Sequence, residues 1–518
     1  MSGRDHPGHE RALRRNVTVG VLGLAARGAQ IILFVAVGRV LGPALLGQLL
    51  LGLGIFEIAT ALTATGFVDG TLLLASRRAH RWDAAGGAAR ATGDGARAIA
   101  DIVATAWLVG GTLALGLASS VALLVAFLTP AVAGRLPHSV AASYAELLPS
   151  LRFIAWALVP SLVARVSFAA TTALLRPEWE SIVGGGGPAL GLLVALPLVR
   201  VFGGGACELF AAALGVQAVI AIVGVVALSR QLGAAILVAA LRRRRLDRDL
   251  LRFVVPQAMN MAATTYIGRL DLLILAASGM PSAVVGAYGT AAAVVRELRQ
   301  ARMIVSGALA PLVARLHATG DRAALAHALS RGSTWVASVV VPLALAFVVV
   351  HADILGAVSP AYVGGSGFTL VLLVGPVVNG LGGLSGNFLV FLLRNRLNLA
   401  NSILVAVANT ALGLWLVPRF GLVGAALASA GGLTAVTLLE TIELALFEDV
   451  RLDPNALVPA AATLAVGALG QSLLGRLGLL GSWQARVVVA TALGLIAAAS
   501  LRTRVGRGRD AAIAGGAS

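Results

Sequence analysis

Long apolar stretches separated by short polar spacers run along the whole chain. A helix needs about 20 apolar residues to cross the hydrocarbon of a bilayer, and about fourteen stretches reach that length. The predicted spans are residues 17–38, 44–66, 101–128, 150–173, 181–199, 208–228, 250–277, 283–310, 333–352, 367–391, 399–417, 421–446, 456–473 and 483–500. The stretches 67–99 and 231–248 are amphipathic instead. The pattern predicts an all-α integral membrane protein.

An internal repeat indicates how the spans are grouped. The segment VLGPALLG (40–47) matches GMPSAVVG (279–286) in the position of its turn and of its terminal Gly. LLRPEWESIVGGGGPALGL (174–192) and LLRNRLNLANSILVAVANTALGL (392–414) follow in the same order, although helices rich in Ala, Leu and Gly also resemble one another by chance. A true repeat predicts two pseudo-symmetric six-helix bundles plus two C-terminal helices, a plan typical of transporters. The corresponding divisions are a cytoplasmic N-terminal tail 1–16, a first bundle 17–230, a cytoplasmic basic linker 231–249, a second bundle 250–448, two additional transmembrane helices 449–501 and a cytoplasmic tail 502–518.

Composition supports a membrane protein. Of the 518 residues, 58% are hydrophobic and 12% are charged, and the mean hydropathy is +0.90, whereas about a quarter of the residues are charged in a soluble domain. The formal net charge of +17 would suit a nucleic-acid-binding protein, but the 40 basic residues, all of them Arg, lie in short spacers and form no basic domain. They are typical of topology signals, and no nucleic-acid partner is expected.

The arginines also predict the orientation of the chain. With a cytoplasmic N-terminus, the inward ends and loops carry Arg4, Arg11, Arg14, Arg15, Arg77, Arg78, Arg81, Arg90, Arg97, Arg230, Arg242–Arg245, Arg502, Arg504, Arg507 and Arg509. The outward loops carry only Arg39, Arg135, Arg200, Arg419 and Arg476. This asymmetry obeys the positive-inside rule and predicts that both termini are cytoplasmic. Because the outward loops are short, the function is expected to lie within the bilayer.

One predicted span contains the cationic stretch VVRELRQARMIV (294–305). The apolar run 283–295 covers only about 20 Å of helix, against a hydrocarbon core of about 30 Å, so the span should continue through Arg296. In a helix, Arg296, Arg299 and Arg302 share a sector of about 120°, which gives a cationic face that cannot contact lipid. We therefore expect these arginines to line a hydrated cavity. The alternative is that the helix ends at Val295 and the arginines lie at the cytoplasmic surface.

Two further pairs of ionisable residues lie at membrane depth, where a charge is costly unless it is paired or faces water. Arg27 and Glu57 lie at similar distances from the turn between the first two spans, so an antiparallel hairpin places them at nearly equal depth. They form either a structural ion pair or a site in which Glu57 neutralises Arg27 until a substrate phosphate displaces it. Asp271, near Arg269 in the seventh span, is either a packing partner or a proton- or sodium-sensitive carboxylate. The candidate substrate-binding residues are thus Arg27, Glu57, Arg269, Asp271, Arg296, Arg299 and Arg302.

The sequence offers little for catalysis or metal binding. The seven His residues show no ligand spacing, and the single Cys207 excludes a Cys-based metal cluster. A membrane-embedded polymerase or glycosyltransferase would need an acid/base or metal-binding cluster near the outer face. The outward loops carry little beyond His138, Glu146, Glu208 and Asp353. We therefore expect a protein that is not an enzyme and that needs no cofactor or metal.

Several segments resemble one superfamily of membrane proteins. They are RGAQIILFVAVGRVLGPALLGQLLLGLGIFEIATALTATGF (27–67), RLDLLILAASGMPSAVVGAYGTAAAVV (269–295), APLVARLHATGDRAALAHAL (310–329) and NTALGLWLVPRFGLVGAALASAGG (409–432). They are similar to the multidrug/oligosaccharidyl-lipid/polysaccharide (MOP) flippase superfamily, especially its bacterial polysaccharide-export branch of O-antigen-type oligosaccharide flippases. Lipid II flippases of the same superfamily usually have a Gly-Leu-Val-Arg-Asp-like turn after the first helix. This chain has Gly42, Pro43, Ala44, Leu45 and Leu46 there, which argues against that branch.

The resemblance implies a flippase of the bacterial inner membrane that works by alternating access of two bundles around a central cavity. It would move a polyprenyl-pyrophosphate-linked oligosaccharide from the cytoplasmic to the outer leaflet for cell-surface polysaccharide biosynthesis. Its partners would be this lipid-linked glycan, membrane lipids and polysaccharide-assembly proteins. The driving force, whether protons, sodium or the downhill glycan gradient, stays open.

The main alternative is a multidrug/cation antiporter of the same superfamily. Such an exporter should present acidic and aromatic groups to its substrate. The candidate site is instead rich in Arg, and aromatic residues make up only 5% of the chain. The sign of the charge therefore favours an anionic lipid.

The predicted topology can be tested with reporter fusions. A reporter fused after Ser518 is expected to be active only in its cytoplasmic form, and one inserted near His138 only in its exported form, because of the arginine asymmetry. The opposite pattern would overturn the predicted orientation.

Overall fold

The chain is all-α throughout the part that the computed structural model describes. The described residues are 32–84, 94–133, 147–174, 185–202, 204–299, 320–392, 394–477 and 481–493, together with Arg302, Val305, Ser306, Leu309, Val313, Leu316 and His317. The predicted tails 1–16 and 502–518 and the candidate Arg27 lie outside these residues. The candidates Glu57, Arg269, Asp271, Arg296, Arg299 and Arg302 lie within them.

The helices group into two compact units. The first unit comprises residues 1–265 and 280–286, and the second comprises residues 266–279 and 287–518. The helices that lie wholly or mostly in the first unit are α1 Ile32–Leu41, α2 Pro43–Thr60, α3 Gly66–Ala84, α4 Asp94–Thr105, α5 Gly111–Ala133, α6 Leu147–Trp156, α7 Leu158–Ala173, α8 Gly185–Phe202, α9 Ala206–Leu232, α10 Ala234–Arg243 and α11 Arg248–Ile267. Two π-helical turns, Ala61–Thr65 and Ala106–Gly110, join α2 to α3 and α4 to α5.

The second unit contains the longest helices. Its elements are α12 Leu270–Ala277, most of α13 Ser282–Glu297, α14 Arg322–Val358, a 3-10 turn Pro360–Gly365, α15 Phe368–Gly382, α16 Leu384–Phe391, α17 Asn395–Phe447 and α18 Pro454–Arg476. Helix α17 is interrupted at Gly421, whose φ of 56° and ψ of −128° are not helical. A residue with a side chain rarely adopts such a backbone conformation, so this glycine allows two helices, 395–420 and 422–447, to follow one another.

The helices have the lengths and composition of membrane spans. Seven described helices are long and apolar enough to cross a membrane, and the bent pair α15 and α16 makes an eighth when counted as one span. Each of the roughly fourteen predicted spans is mostly helical in its described residues. Large apolar side chains such as Phe127, Ile222 and Val466 are 63–74% exposed, which suits helix faces in contact with lipid. These findings confirm the predicted all-α membrane fold.

Two predicted boundaries differ from the structure. The second predicted span ended at residue 66, but α3 carries the helix on to Ala84. At the start of α3, Gly66 and Gly70 pack closely against α11. The predicted span 283–310 is interrupted, since α13 ends at Glu297 and a tight turn follows at Leu298 and Arg299.

The basic linker is fastened to the first unit by polar contacts. Asp247 accepts hydrogen bonds from the Arg78 Nη2 at 2.5 Å and from the backbone N–H of Leu250 at 3.0 Å, which caps the start of α11. The backbone N–H of Asp247 donates to Thr105 Oγ1 at 2.9 Å. The arginines 242–245 remain exposed.

The two copies of the first repeat motif lie directly against each other within the first unit. A Cβ placed on Gly47 would overlap the carbonyl group of Ser282, and a Cβ placed on Gly286 would lie 2.7 Å from the carbonyl oxygen of Pro43. Neither position has room for a methyl group, because backbone atoms cannot move aside as a flexible side chain can. The shared terminal glycine of the motif is therefore explained by a close helix contact.

This contact predicts that alanine substitutions at two helical glycines will differ in their effect on stability. Gly47→Ala is expected to destabilise the purified protein by about 1–3 kcal/mol or more, because it overpacks a backbone contact. Gly116→Ala is the matched control, since Gly116 is also helical but a Cβ there meets nothing within 4 Å, and it should be neutral or stabilising by up to about 1 kcal/mol. Thermal unfolding in one detergent measures both, and equal melting temperatures for the two variants would contradict the contact.

Candidate functional site

Three of the predicted arginines come together in the second unit, although not on one continuous helix. Arg296 lies in the last turn of α13, and Arg299 follows in the turn, where its backbone N–H donates to the carbonyl oxygen of Arg296 at 3.0 Å. Helical residues resume at Arg302. All three side chains are half-buried. The span therefore does not end at Val295, and the expected cationic segment is bent where the structure turns at Arg299.

Arg296 and Arg302 each contact a carbonyl group at a break in a neighbouring helix. Arg302 Nη1 donates a hydrogen bond of 2.8 Å to the carbonyl oxygen of Gly383, where α15 and α16 meet at an angle of 46°. Arg296 Nη2 lies 3.5 Å from the carbonyl oxygen of Gly268, between α11 and α12. Helix ends leave carbonyl groups without a partner, and in a membrane another part of the protein must supply one. These two arginines therefore stabilise the interrupted helices.

Arg299 differs from its two neighbours. Within the described part of the chain its guanidinium makes no hydrogen bond and no ion pair. The charges that act on it are those of Arg302, Arg296 and Arg269, all cationic, and that of Glu440, the one carboxylate among them. An unpaired guanidinium among like charges has a strong electrostatic preference for an anion. Arg299 is thus the member of the cluster best placed to bind a negatively charged ligand.

A polar stripe on α17 faces this cluster. Thr437, Glu440 and Thr441 share one face of the helix, at the spacing of neighbours on a helix surface. Asn379 Nδ2 of α15 donates to Thr437 Oγ1 at 2.8 Å, and Thr441 Oγ1 donates to Ser385 Oγ of α16 at 3.1 Å. The stripe therefore joins α15, α16 and α17 next to the helix break that Arg302 caps.

Glu440 is the buried carboxylate of this stripe. Its side chain is packed so closely on α16 that a Cβ on Gly386 would overlap the carboxylate. Only 7% of Glu440 is exposed. Three nearby buried polar atoms have no hydrogen-bond partner among the described residues: Glu440 Oε2, Arg302 Nε and Asn379 Oδ1. Such groups are costly in a protein interior and often mark a functional site.

Asp271 and Arg269 are also buried in the second unit. Tyr288 donates its hydroxyl hydrogen to Asp271 Oδ2 at 2.8 Å, and the backbone N–H of Leu272 donates to Asp271 Oδ1 at 2.8 Å. The Tyr288 ring stacks on Phe368, with 5.4 Å between the ring centroids. These contacts favour the packing role for Asp271. Arg269 is 7% exposed and contributes its charge to the surroundings of Arg299.

The other predicted pair cannot be placed as a pair. Glu57 is exposed on α2 and has a polar or electrostatic interaction of its own, whereas Arg27 lies outside the described residues. Their pairing stays a prediction. Within the described ranges, no three His, Cys, Asp or Glu side chains are grouped as a metal site would require.

The sequence interpretation missed two residues of this region, Glu440 and Glu443. Both lie inside the predicted span 421–446, so the rule that selected the other ionisable residues at membrane depth would have selected them too. Glu443 accepts a hydrogen bond of 2.6 Å from Asn401 Nδ2.

Comparison with known proteins identifies the fold. No family model matches the chain, and no curated protein matches its sequence. Among solved structures, the chain is similar to the lipid II flippase MurJ in an inward closed conformation, with a TM-score of 0.67 and 10% identity over 94% of this chain and 99% of that one. It is also similar to an inward-facing multidrug resistance transporter of the MATE family and the MOP superfamily, with a TM-score of 0.56 and 14% identity over 82% of this chain and 94% of that one.

These comparisons define the chain as a multi-pass membrane protein with a flippase- and transporter-type fold. At such low identity the likeness concerns the fold alone, and both similar proteins are covered almost completely. The predicted all-α fold of many membrane-spanning helices is thereby confirmed, and the superfamily stays a prediction. The polysaccharide-export branch stays a prediction.

The different contacts of Arg299 and Arg302 predict different effects of the same substitution. Arg302→Gln should lower stability by about 2 kcal/mol or more, because it removes a charged donor from Gly383 and leaves Glu440 with less counter-charge. Arg299→Gln should leave stability unchanged or raise it, because it removes one of several like charges. Thermal unfolding of the purified variants measures the difference, and equal losses for both variants would mean that Arg299 is also a structural residue.

Proposed function

We propose that the chain is a flippase that moves a polyprenyl-pyrophosphate-linked oligosaccharide from the cytoplasmic to the outer leaflet for cell-surface polysaccharide biosynthesis. The observation that carries this proposal is the half-buried Arg299, which has no partner among the described residues and lies among three other arginines. A bilayer-embedded protein keeps a guanidinium among like charges at a cost. Binding of an anion compensates that cost.

Arginine suits a pyrophosphate in particular. Its planar guanidinium binds two phosphate oxygens at once, and such charge-assisted pairs are strongest away from bulk water. Arg299 supplies a guanidinium that has no hydrogen-bond partner among the described residues. The diphosphate head group is therefore expected to bind Arg299, with the charge of Arg302 nearby. The polyprenyl tail stays in the surrounding lipid while the head group is carried across by alternating access.

The same charges argue against export of organic cations. A cation-binding site needs accessible carboxylates or aromatic faces. In the described part of the second unit, Asp271 is bound by Tyr288 and Leu272, and Glu443 is bound by Asn401. The charges acting on Arg299 come from one carboxylate, Glu440, and from three other arginines. The balance of charge near Arg299 favours an anionic substrate.

The fold neighbours support a transport function without selecting the substrate. One of them is named as a flippase of lipid II, a lipid substrate, and the other as a multidrug resistance transporter. The residues Gly42–Leu46 after the first helix depart from the turn usual in lipid II flippases, so we assign this chain a different lipid-linked glycan. Polysaccharide-assembly proteins are the expected partners.

Arg299→Gln tests the proposal, because it removes the anion-binding group without removing a structural contact. Loss of a charge-assisted contact to phosphate costs about 1.5–3 kcal/mol, which corresponds to roughly ten- to a hundredfold in binding. The variant is therefore expected to lose surface polysaccharide in a deletion strain complemented at matched protein level. Arg299→Lys should restore export only in part, because it keeps the charge but loses the planar fork.

Arg322→Gln is the matched control. Arg322 is exposed at the start of α14, and its replacement should leave export unchanged. Full export by Arg299→Gln would contradict the proposed anion site. Loss of drug resistance with normal polysaccharide in that variant would instead favour the multidrug antiporter.

A further inference from the structure

Glu440 occupies an unusual position beside the arginines. It is a carboxylate that is more than nine-tenths buried, with Oε2 lacking a hydrogen-bond partner in the described part of the chain. The carboxylate lies against α16 at Gly386, where a Cβ would overlap it. This close fit leaves no room for a side chain on Gly386 while Glu440 keeps this position.

The charged groups that face Glu440 are few. Arg302 and Arg299 act on it from the segment after α13, and Glu443 acts on it from its own helix. The described neighbours on α15 and α16, such as Asn379, Ser385 and Gly386, are neutral. Among the described residues, only these two arginines therefore compensate the negative charge of Glu440.

The two arginines are held differently. Arg302 is held near Glu440 by its hydrogen bond to the carbonyl oxygen of Gly383. Arg299 lies in a turn, and its guanidinium makes no hydrogen bond or ion pair within the described residues. Arg302 can thus stay with Glu440 while Arg299 turns to another anion. This arrangement avoids leaving a buried carboxylate with no counter-charge at all.

We infer that Glu440 is a built-in counter-anion of the arginine cluster, which competes with the substrate phosphate for Arg299. The inference rests on the proposed function and adds a residue that sets the affinity of its site. With the site empty, Glu440 partly neutralises Arg299. When a phosphate binds, Arg299 passes to it and Glu440 remains with Arg302. Competition of this kind keeps binding weak enough for the ligand to be released on the other side of the membrane.

The test is a titration with inorganic pyrophosphate of the full-length protein in nanodiscs of one lipid composition, at constant ionic strength. Glu440→Gln keeps the shape of the side chain and removes its charge. It is expected to tighten pyrophosphate binding by about five- to tenfold, because the competing anion is gone. Glu443→Gln removes the same charge one helical turn away, where Asn401 already binds the carboxylate, and should change binding by less than about twofold.

Further variants distinguish failure of this inference from failure of the proposed function. The double variant Arg299→Gln with Glu440→Gln should lose the tightening, because Glu440 acts through Arg299. Glu440→Asp keeps the negative charge but moves it away from Arg299, because the side chain is shorter. It should tighten pyrophosphate binding by less than Glu440→Gln does. This variant serves as the test if Glu440→Gln does not fold.

Unchanged or weaker binding by the foldable Glu440 variant, with binding still lost in Arg299→Gln, would overturn the counter-anion and leave the proposed anion site standing. Binding that appears only in Glu440→Gln would support the counter-anion strongly. Equal binding by every variant, or none by any, would overturn both the counter-anion and the anion site.

Discussion

The hydrocarbon of a bilayer supplies no hydrogen-bond partners, and this constraint accounts for much of the structure described here. Every backbone group within it must be satisfied by the protein, which is why the described chain is helical. Helices can be interrupted there only where another group satisfies the freed carbonyls. Gly268 and Gly383 mark two such interruptions, and an arginine reaches each of them. The broken helices and the buried arginines thus depend on each other.

This dependence divides the cationic cluster into two kinds of residue. The side chains of Arg296 and Arg302 contact backbone carbonyls, which explains their presence at membrane depth, whereas the Arg299 guanidinium has no such contact among the described residues. In the proposed mechanism, Arg299 is compensated by Glu440 when the site is empty and by a ligand anion when it is filled. The proposal thus explains how one polar region would be stable without its ligand and still bind one.

Glycine has a separate role, which is to let helix backbones meet. Gly47 and Gly286 bring the two repeat motifs into contact, and Gly386 makes room for the Glu440 carboxylate. In the first case the close approach gives van der Waals packing between apolar helices, for which lipid offers no hydrophobic substitute. In the second case it buries a charge next to its counter-charges. Both contacts require a residue without a side chain.

The sequence by itself determined the membrane fold, because runs of apolar residues long enough to cross a bilayer have few alternatives. Each predicted span is mostly helical in its described residues. It also identified Arg296, Arg299 and Arg302 as residues that lipid cannot accommodate. It did not reveal the turn at Arg299, since no proline or glycine interrupts residues 294–305. Two features depend on contacts between residues far apart along the chain. Arg302 binds the carbonyl oxygen of Gly383, and Glu440 lies against Gly386, beside the cluster. Periodicity along one helix carries no information on which neighbour it meets, so only the tertiary structure decided these roles.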